Sequence, residues 1–207
     1  MSMTNSIDSF PTLCKCLVSI YGRVGIKTSL TLLEHIGFKV DPAKWTDYFK
    51  CNLGKDLGGF TFLEENGVLF LNDPTLSSEA LEDMKRDGHY YLPDKATFLS
   101  YLDPYFRENE RGFANILLFL KPYFKGVEGS YEEKVLRFVK DSFRNLDTAS
   151  SADEIIYGRK FGNKPIKGNK MDEFLLLYYA VFNDTKGPSR HGFSPMEVGF
   201  LLMKEPK

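Results

Sequence analysis

Gly59-Phe60-Thr61-Phe62-Leu63-Glu64-Glu65-Asn66-Gly67-Val68-Leu69-Phe70-Leu71 reads as a β-hairpin. Two runs rich in aromatic and aliphatic residues flank Glu65-Asn66-Gly67. Asn-Gly accepts φ > 0 at both central turn positions, and the twist of such a turn matches the strands around it. The strands are expected at 60–64 and 67–71. They are apolar at nearly every position, where a half-exposed hairpin would alternate. Both faces are therefore expected to be covered. Phe62 and Phe70 are placed on one face and Leu63, Leu69 and Leu71 on the other, the outer face lying under the helical part that follows.

Three helical patterns and a short extended stretch precede the hairpin. Ser9 caps the first, with Pro11 in its opening turn. Leu13, Cys16, Leu17 and Ile20 make one apolar face at helical spacing, and Gly22 ends it. Residues 23–26 read as extended. Thr28 or Ser29 starts a second helix, closed by Gly37. Asp41-Pro42 caps a third, carrying Trp45, Tyr48 and Phe49 and fading at Asn52. Beyond Asn72-Asp73-Pro74 the pattern is helical: 77–88, a helix after the Asp94 cap, 109–120, a helix opened by the Ser130–Glu133 capping box, 151–160, a helix capped by Asn169, and a last one opened by Ser194-Pro195-Met196-Glu197. Helix, strand, helix, helix, hairpin is the order of a winged helix. The expected fold class is mainly α (α+β): a winged-helix-like module with one hairpin at 1–74, then an all-helical domain at 75–207 packed against it.

The chain has 207 residues, 43% hydrophobic and 14% aromatic, enough to bury a core. The net charge of −1 gives no general pull toward nucleic acid or an anionic membrane. Cys14, Cys16 and Cys51 are too few and unevenly spaced for a disulfide framework, and no Cys/His pair follows at zinc spacing. The first eight residues lack a basic start and an apolar run, so no signal peptide is expected, and no stretch approaches a membrane span. A cytoplasmic protein with no metal, cofactor or membrane partner is the expectation.

Several motifs occur in a recognisable order. They are Ile20-Tyr21-Gly22, the aromatic hairpin, His89-Tyr90-Tyr91-Leu92-Pro93-Asp94, Phe98-Leu99-Ser100-Tyr101-Leu102-Asp103, Phe119-Leu120-Lys121-Pro122, Asn183-Asp184-Thr185 and His191-Gly192-Phe193-Ser194-Pro195-Met196-Glu197. Together they resemble an uncharacterised bacterial family often linked to a C-terminal cysteine-rich zinc motif like that at the end of the SecA translocase. The sequence through Lys207 carries no such cluster, so no zinc-dependent role is expected, and the resemblance supplies no catalytic residues.

A winged helix reads DNA with side chains near the start of its third helix. Here that helix offers Lys44, Thr46, Asp47 and Lys50, and the hairpin tip carries Glu64 and Glu65. Residues 1–74 hold seven Lys and Arg against eight Asp and Glu, net −1. DNA affinity rests largely on neutralised phosphates, and this module supplies few cations for them. The most basic stretch is 159–170, where Arg159, Lys160, Lys164, Lys167 and Lys170 are uninterrupted by acid and interleaved with Phe161. It suits a phosphate backbone or an acidic partner, and equally a solvated Gly/Pro loop. Arg190 and His191, just ahead of a helix start, are a candidate anion site; the alternative is that they fix a turn. His35 and His89 read as structural. Asn183 and Asp184 read as caps, and the carboxylates Asp103, Glu108, Asp153 and Glu154 as solvated caps.

No phosphate loop, G-x-G-x-x-G, nucleophile elbow or H-E-x-x-H motif is present. The expected function is a non-enzymatic interaction protein that binds another protein; the alternative is a nucleic-acid-binding regulator using the third helix and 159–170. If nucleic acid is bound, replacing Lys164 and Lys167 with Glu abolishes binding and leaves the fold intact, since a Gly/Pro loop has little packing to lose. Unchanged binding by that double variant in a mobility-shift assay removes the stretch as the contact.

Overall fold

In the computed structural model, helix α1 spans Phe10–Tyr21. The structure describes residues 9–76, 89–124, 140 and 166–204. Ser9 stands at the N-terminal cap, but its hydroxyl pairs with that of Thr12 at 2.8 Å and not with a backbone amide. At the other end Gly22 turns the chain with φ 66°, its N–H donating to the Val18 carbonyl at 2.8 Å. Strand β1 (Arg23–Gly25) follows, then α2 (Ile26–Ile36). Helix α2 begins ahead of the expected Thr28 or Ser29 cap. Ser29 lies inside the helix, fully buried, and its hydroxyl donates to the Ile26 carbonyl at 2.8 Å. A serine that bonds back into its own turn is an internal residue, although the same chemistry in sequence resembles a cap.

Gly37 closes α2 in the left-handed region at φ 97°, with Gly37 N–H to Glu34 O and Phe38 N–H to Leu33 O. That bond pair satisfies two carbonyls that the helix end would leave open. Helix α3 (Pro42–Cys51) starts as expected. The Asp41 carboxylate accepts from the Ala43 N–H at 2.9 Å and the Lys44 N–H at 3.3 Å.

The hairpin forms strands β2 (Thr61–Glu65) and β3 (Val68–Asn72), one residue later than expected. Asn66 (φ 51°) and Gly67 (φ 75°) both take positive φ, as a two-residue hairpin turn demands. Strand β1 pairs antiparallel with the other edge of β3, giving the order β1-β3-β2. The register corrects the side-chain assignment made from sequence. Phe62 lies opposite Leu71, and Leu63 opposite Phe70. Residues directly opposite share a face, so a two-residue loop puts Phe62 and Phe70 on opposite faces. Phe62 and Leu71 are fully buried, while Leu63 and Phe70 are half-buried on the outer side. The Arg23 guanidinium lies 4.2 Å above the Phe70 ring on that outer side.

The chain divides into two units, Met1–Phe106 with Pro188–Gly192, and Arg107–Gly187 with Phe193–Lys207. The first therefore runs past residue 74 and includes α4 (Lys95–Ser100), capped by Asp94 through the Ala96 and Thr97 amides at 2.9 Å each. Its core gathers Leu13, Leu17, Trp45, Phe49, Phe60, Phe62, Leu71 and Phe98. The second unit holds α5 (Glu110–Leu120), α6 (Asn169–Asp184) and α7 (Pro195–Lys204). Phe113, Ile116 and Leu120 of α5 pack with Phe174, Tyr178 and Val181 of α6. A Cβ on Gly112 would stand 2.7 Å from Val181, so the absent side chain sets how closely α5 approaches α6. Asn169 is the first residue of α6 and not its cap; Gly168, at φ 59°, makes the turn into it. The Ser194–Glu197 box forms in both directions, Ser194 N–H to the Glu197 carboxylate at 2.8 Å and Glu197 N–H to the Ser194 hydroxyl at 3.3 Å. The helices expected at 77–88, from Ser130, and at 151–160 fall outside the described residues, Lys140 apart. Among the described residues the only strands are these three, in one small antiparallel sheet, and the rest of the regular structure is helical.

Trp45 is fully buried and its indole N–H donates to the Ser29 hydroxyl at 3.0 Å. Ser29→Ala leaves that N–H without an acceptor. It should cost about 1–3 kcal/mol in a urea titration, the typical penalty for a stranded buried donor. A loss within about 0.5 kcal/mol, the size of an ordinary surface change, would show that the bond carries no stability.

Candidate functional site

Helix α3 buries Trp45 and Phe49 and half-buries Tyr48. With so few positions facing the core, most of the helix is outside. Lys44, Asp47 and Lys50 are exposed, and the Thr46 hydroxyl is turned back to the Pro42 carbonyl at 2.8 Å. The exposed charges alternate in sign along the helix. At the hairpin tip Glu64 and Glu65 are exposed, and Arg23 Nη2 pairs with Glu65 at 2.7 Å. One acid of the tip is thus already engaged by a cation of its own sheet.

Ahead of α3, residues 37–41 border an open groove of about 420 Å³. Its floor is apolar, from Phe10, Leu13 and Val40, and Lys39, Lys44 and Lys95 line it with Asp41. Lys95 Nζ stands 4.2 Å from the centroid of Phe38, a cation held over a ring face. The Phe38 ring packs on Phe98 of α4 with centroids 5.3 Å apart. Sequence reading missed Lys39 and Lys95 because they lie far apart in the chain and meet only when α4 packs on Phe38. The one local signal was Lys95 beside the Asp94 cap, a position that fixes where the lysine leaves the helix.

The basic stretch is described only from residue 166. Ile166 is buried in the core of the second unit, while Lys167 and Lys170 are exposed. The Lys170 ammonium is hydrogen-bonded to the Glu173 carboxylate, which raises its pKa. Arg159, Lys160 and Lys164 lie outside the described residues. Arg190 is half-buried and His191 buried. His191 takes a positive φ of 52°, its N–H donates to Pro188 O, its carbonyl accepts from Tyr91 N–H at 3.0 Å, and its ring lies 4.7 Å from that of Tyr90. These bonds fix the turn at 188–192.

Asp103 accepts from the Tyr105 N–H at 2.9 Å, and Asp184 from the Asn109 side-chain amide at 3.3 Å. Both are structural uses. Glu197 is pulled in two directions: burial works to raise its pKa, while Lys186 and the Ser194 donors lower it, with a net lowering. Among the described residues no cluster of three His, Cys, Asp or Glu could hold a metal, and no helix is long and apolar enough to cross a membrane. Comparison with family models, curated proteins and solved structures finds no match for this chain.

Cys14 and Cys16 are fully buried, whereas Cys51 is exposed. Burial pushes the Cys14 thiol well above the ordinary value of 9.0 and raises Cys16 to about 12. A raised pKa means that the folded core holds the protonated thiol, so this contribution to stability is intact below pH 9.0 and declines as pH rises toward about 12. The thiolate is the reactive form. Native protein at mildly alkaline pH should therefore modify one thiol per chain with a thiol reagent, at Cys51, and all three after unfolding in urea. Modification of Cys14 or Cys16 in the native state, located by peptide mapping, would contradict the buried placement.

Proposed function

We propose that the chain is a non-enzymatic interaction protein whose first unit is a winged-helix-like module used to dock another protein. The element order α1-β1-α2-α3-β2-β3 and the sheet order β1-β3-β2 support this reading, in which α3 would be the recognition helix. The observation that carries the reading is the charge on the two elements such a module would bring to DNA. Lys44 and Lys50 on α3 are interrupted by Asp47, and the hairpin tip ends in Glu64 and Glu65. Binding to duplex DNA draws on several neutralised phosphates, and acids at both contact elements oppose that. Mixed charge beside an apolar groove suits a protein surface, where opposite charges set orientation and partner choice.

Mobility-shift titrations of the full chain against duplex and single-stranded DNA and RNA test this. At about 50 mM salt no shift is expected. A complex that forms there and weakens by about a thousandfold or more near 200 mM would overturn the reading. It would favour the regulator that contacts phosphates through α3 and residues 159–170.

A further inference from the structure

We infer that the groove beside residues 37–41 receives an acidic peptide segment of the partner, carrying one aromatic or large aliphatic anchor. This rests on the protein-docking reading above and names the chemistry it would use. The groove has two parts with different demands. Its floor of Phe10, Leu13 and Val40 offers nothing to a phosphate or a sugar, and rewards a side chain that leaves water. A cleft of about 420 Å³ is within the range that holds small ligands and bulky side chains. Its rim is cationic. Lys39 and Lys44 are exposed and make no ion pair among the described residues, and Lys95 lines the groove with its ammonium over Phe38.

Asp41 is the one acid among the residues lining the groove, set against three lysines. The Asp41 carboxylate caps α3 through the Ala43 and Lys44 amides, and Glu34 lines the adjoining depression on the α2 side of the loop. A ligand that fits both parts places an apolar anchor on the floor and carboxylates on either side of it. Nucleic acid matches the rim but not the floor, and three lysines around one short groove do not follow a backbone. The apolar parts of the wall are held in place: Phe38 packs on Phe98 and Phe10 on Trp45, the latter with centroids 5.2 Å apart. Little ordering is then needed when the anchor enters, which favours affinity.

The probe is a short fluorescein-labelled peptide of Asp and Glu around a central Trp, followed by fluorescence anisotropy with the full chain. Saturable binding is expected. Trp→Ala in the peptide and Lys39→Glu/Lys44→Glu in the protein should each weaken it by about tenfold or more, because one removes the anchor and the other juxtaposes like charges. Both lysines are exposed, and a Glu at position 44 sits in the first turn of α3 where a negative charge is favourable, so the double variant should fold. Circular dichroism and an unchanged urea midpoint check this; if that variant unfolds, Lys95→Gln replaces it with the same expected direction. No saturable binding, binding indifferent to the Trp, or binding unchanged in the rim variant each overturns the proposal. Displacement of the peptide by single-stranded DNA at equal charge overturns it in favour of nucleic acid. Failure of the groove and failure of the docking reading are separable. A purified partner that binds wild type and Lys39→Glu/Lys44→Glu equally well refutes the groove alone, whereas a salt-sensitive DNA complex refutes the docking reading.

Discussion

The bond from the Trp45 indole to the Ser29 hydroxyl is the constraint around which the first unit is arranged. Tryptophan brings the largest apolar area a core can hold, but its N–H must find an acceptor once water is gone. Ser29 supplies the acceptor from inside α2 and donates its own O–H to the Ile26 carbonyl, so both polar groups are satisfied at zero exposure. That relay fixes the rotation of α2 against α3. Phe10 then meets the Trp45 ring edge-on, at 5.2 Å and 85°, and brings α1 into place. Phe49, one turn further along α3, contacts Phe62 at 4.2 Å and carries the same core into the sheet. Trp45 and Phe49, with Tyr48 half-buried between Phe10 and Phe62, are the positions of α3 that face the core. The exposed face of α3 follows from how the core is built.

The elements legible in the sequence were those whose signal is local. Asn66-Gly67 announces a turn because two adjacent positive φ values need those residues. Asp41-Pro42 and Ser194–Glu197 announce helix starts because the side chain and the amides it satisfies lie within three residues of each other. Errors came where one residue type serves two purposes. Ser29 looked like a cap and is a buried relay; Asn169 looked like a cap and is preceded by Gly168, whose backbone already makes the turn. The hairpin faces were misassigned for a different reason. Apolar residues at every position erase the alternation that marks inside from outside, and only the register Phe62–Leu71 restores it.

The site was less legible than the fold. A run of basic residues stands out in sequence because its members are neighbours, as in 159–170, yet adjacency says nothing about whether each charge is available. Lys170 is engaged by Glu173 one turn along its own helix. Lys39 and Lys95 have the opposite character. Neither is remarkable in its local context, and they come together through Phe38, which supports Lys95 on its ring and packs on Phe98. Charge gathered by tertiary packing carries a defined geometry, and charge gathered by sequence does not. For recognition of a shaped ligand the first kind is the more informative.

The same distinction applies to where the first unit ends. Composition places a boundary at Asn72-Asp73-Pro74, where polar and turn-forming residues follow an apolar hairpin. The packing depends on residues much further along. Gly22 at the end of α1 has no room for a Cβ, which would stand 2.7 Å from Pro188, and a Cβ on Gly192 would stand 2.9 Å from Ile20. Between these two close approaches Tyr91 N–H donates to the His191 carbonyl, and the Tyr21 hydroxyl donates to the Tyr91 carbonyl at 2.7 Å. Burial raises the Tyr21 pKa, so the hydroxyl keeps the proton it donates. A five-residue return thus pins the end of α1 to residues 90 and 91, through one main-chain bond, the Tyr21 hydroxyl and two glycines that permit close approach. Loop-closure cost grows only with the logarithm of loop length, so a distant return is little dearer than a near one. That is why such a return is tolerated, and why Pro188-Ser189-Arg190-His191-Gly192 read as a turn alone discloses nothing of the helix it completes.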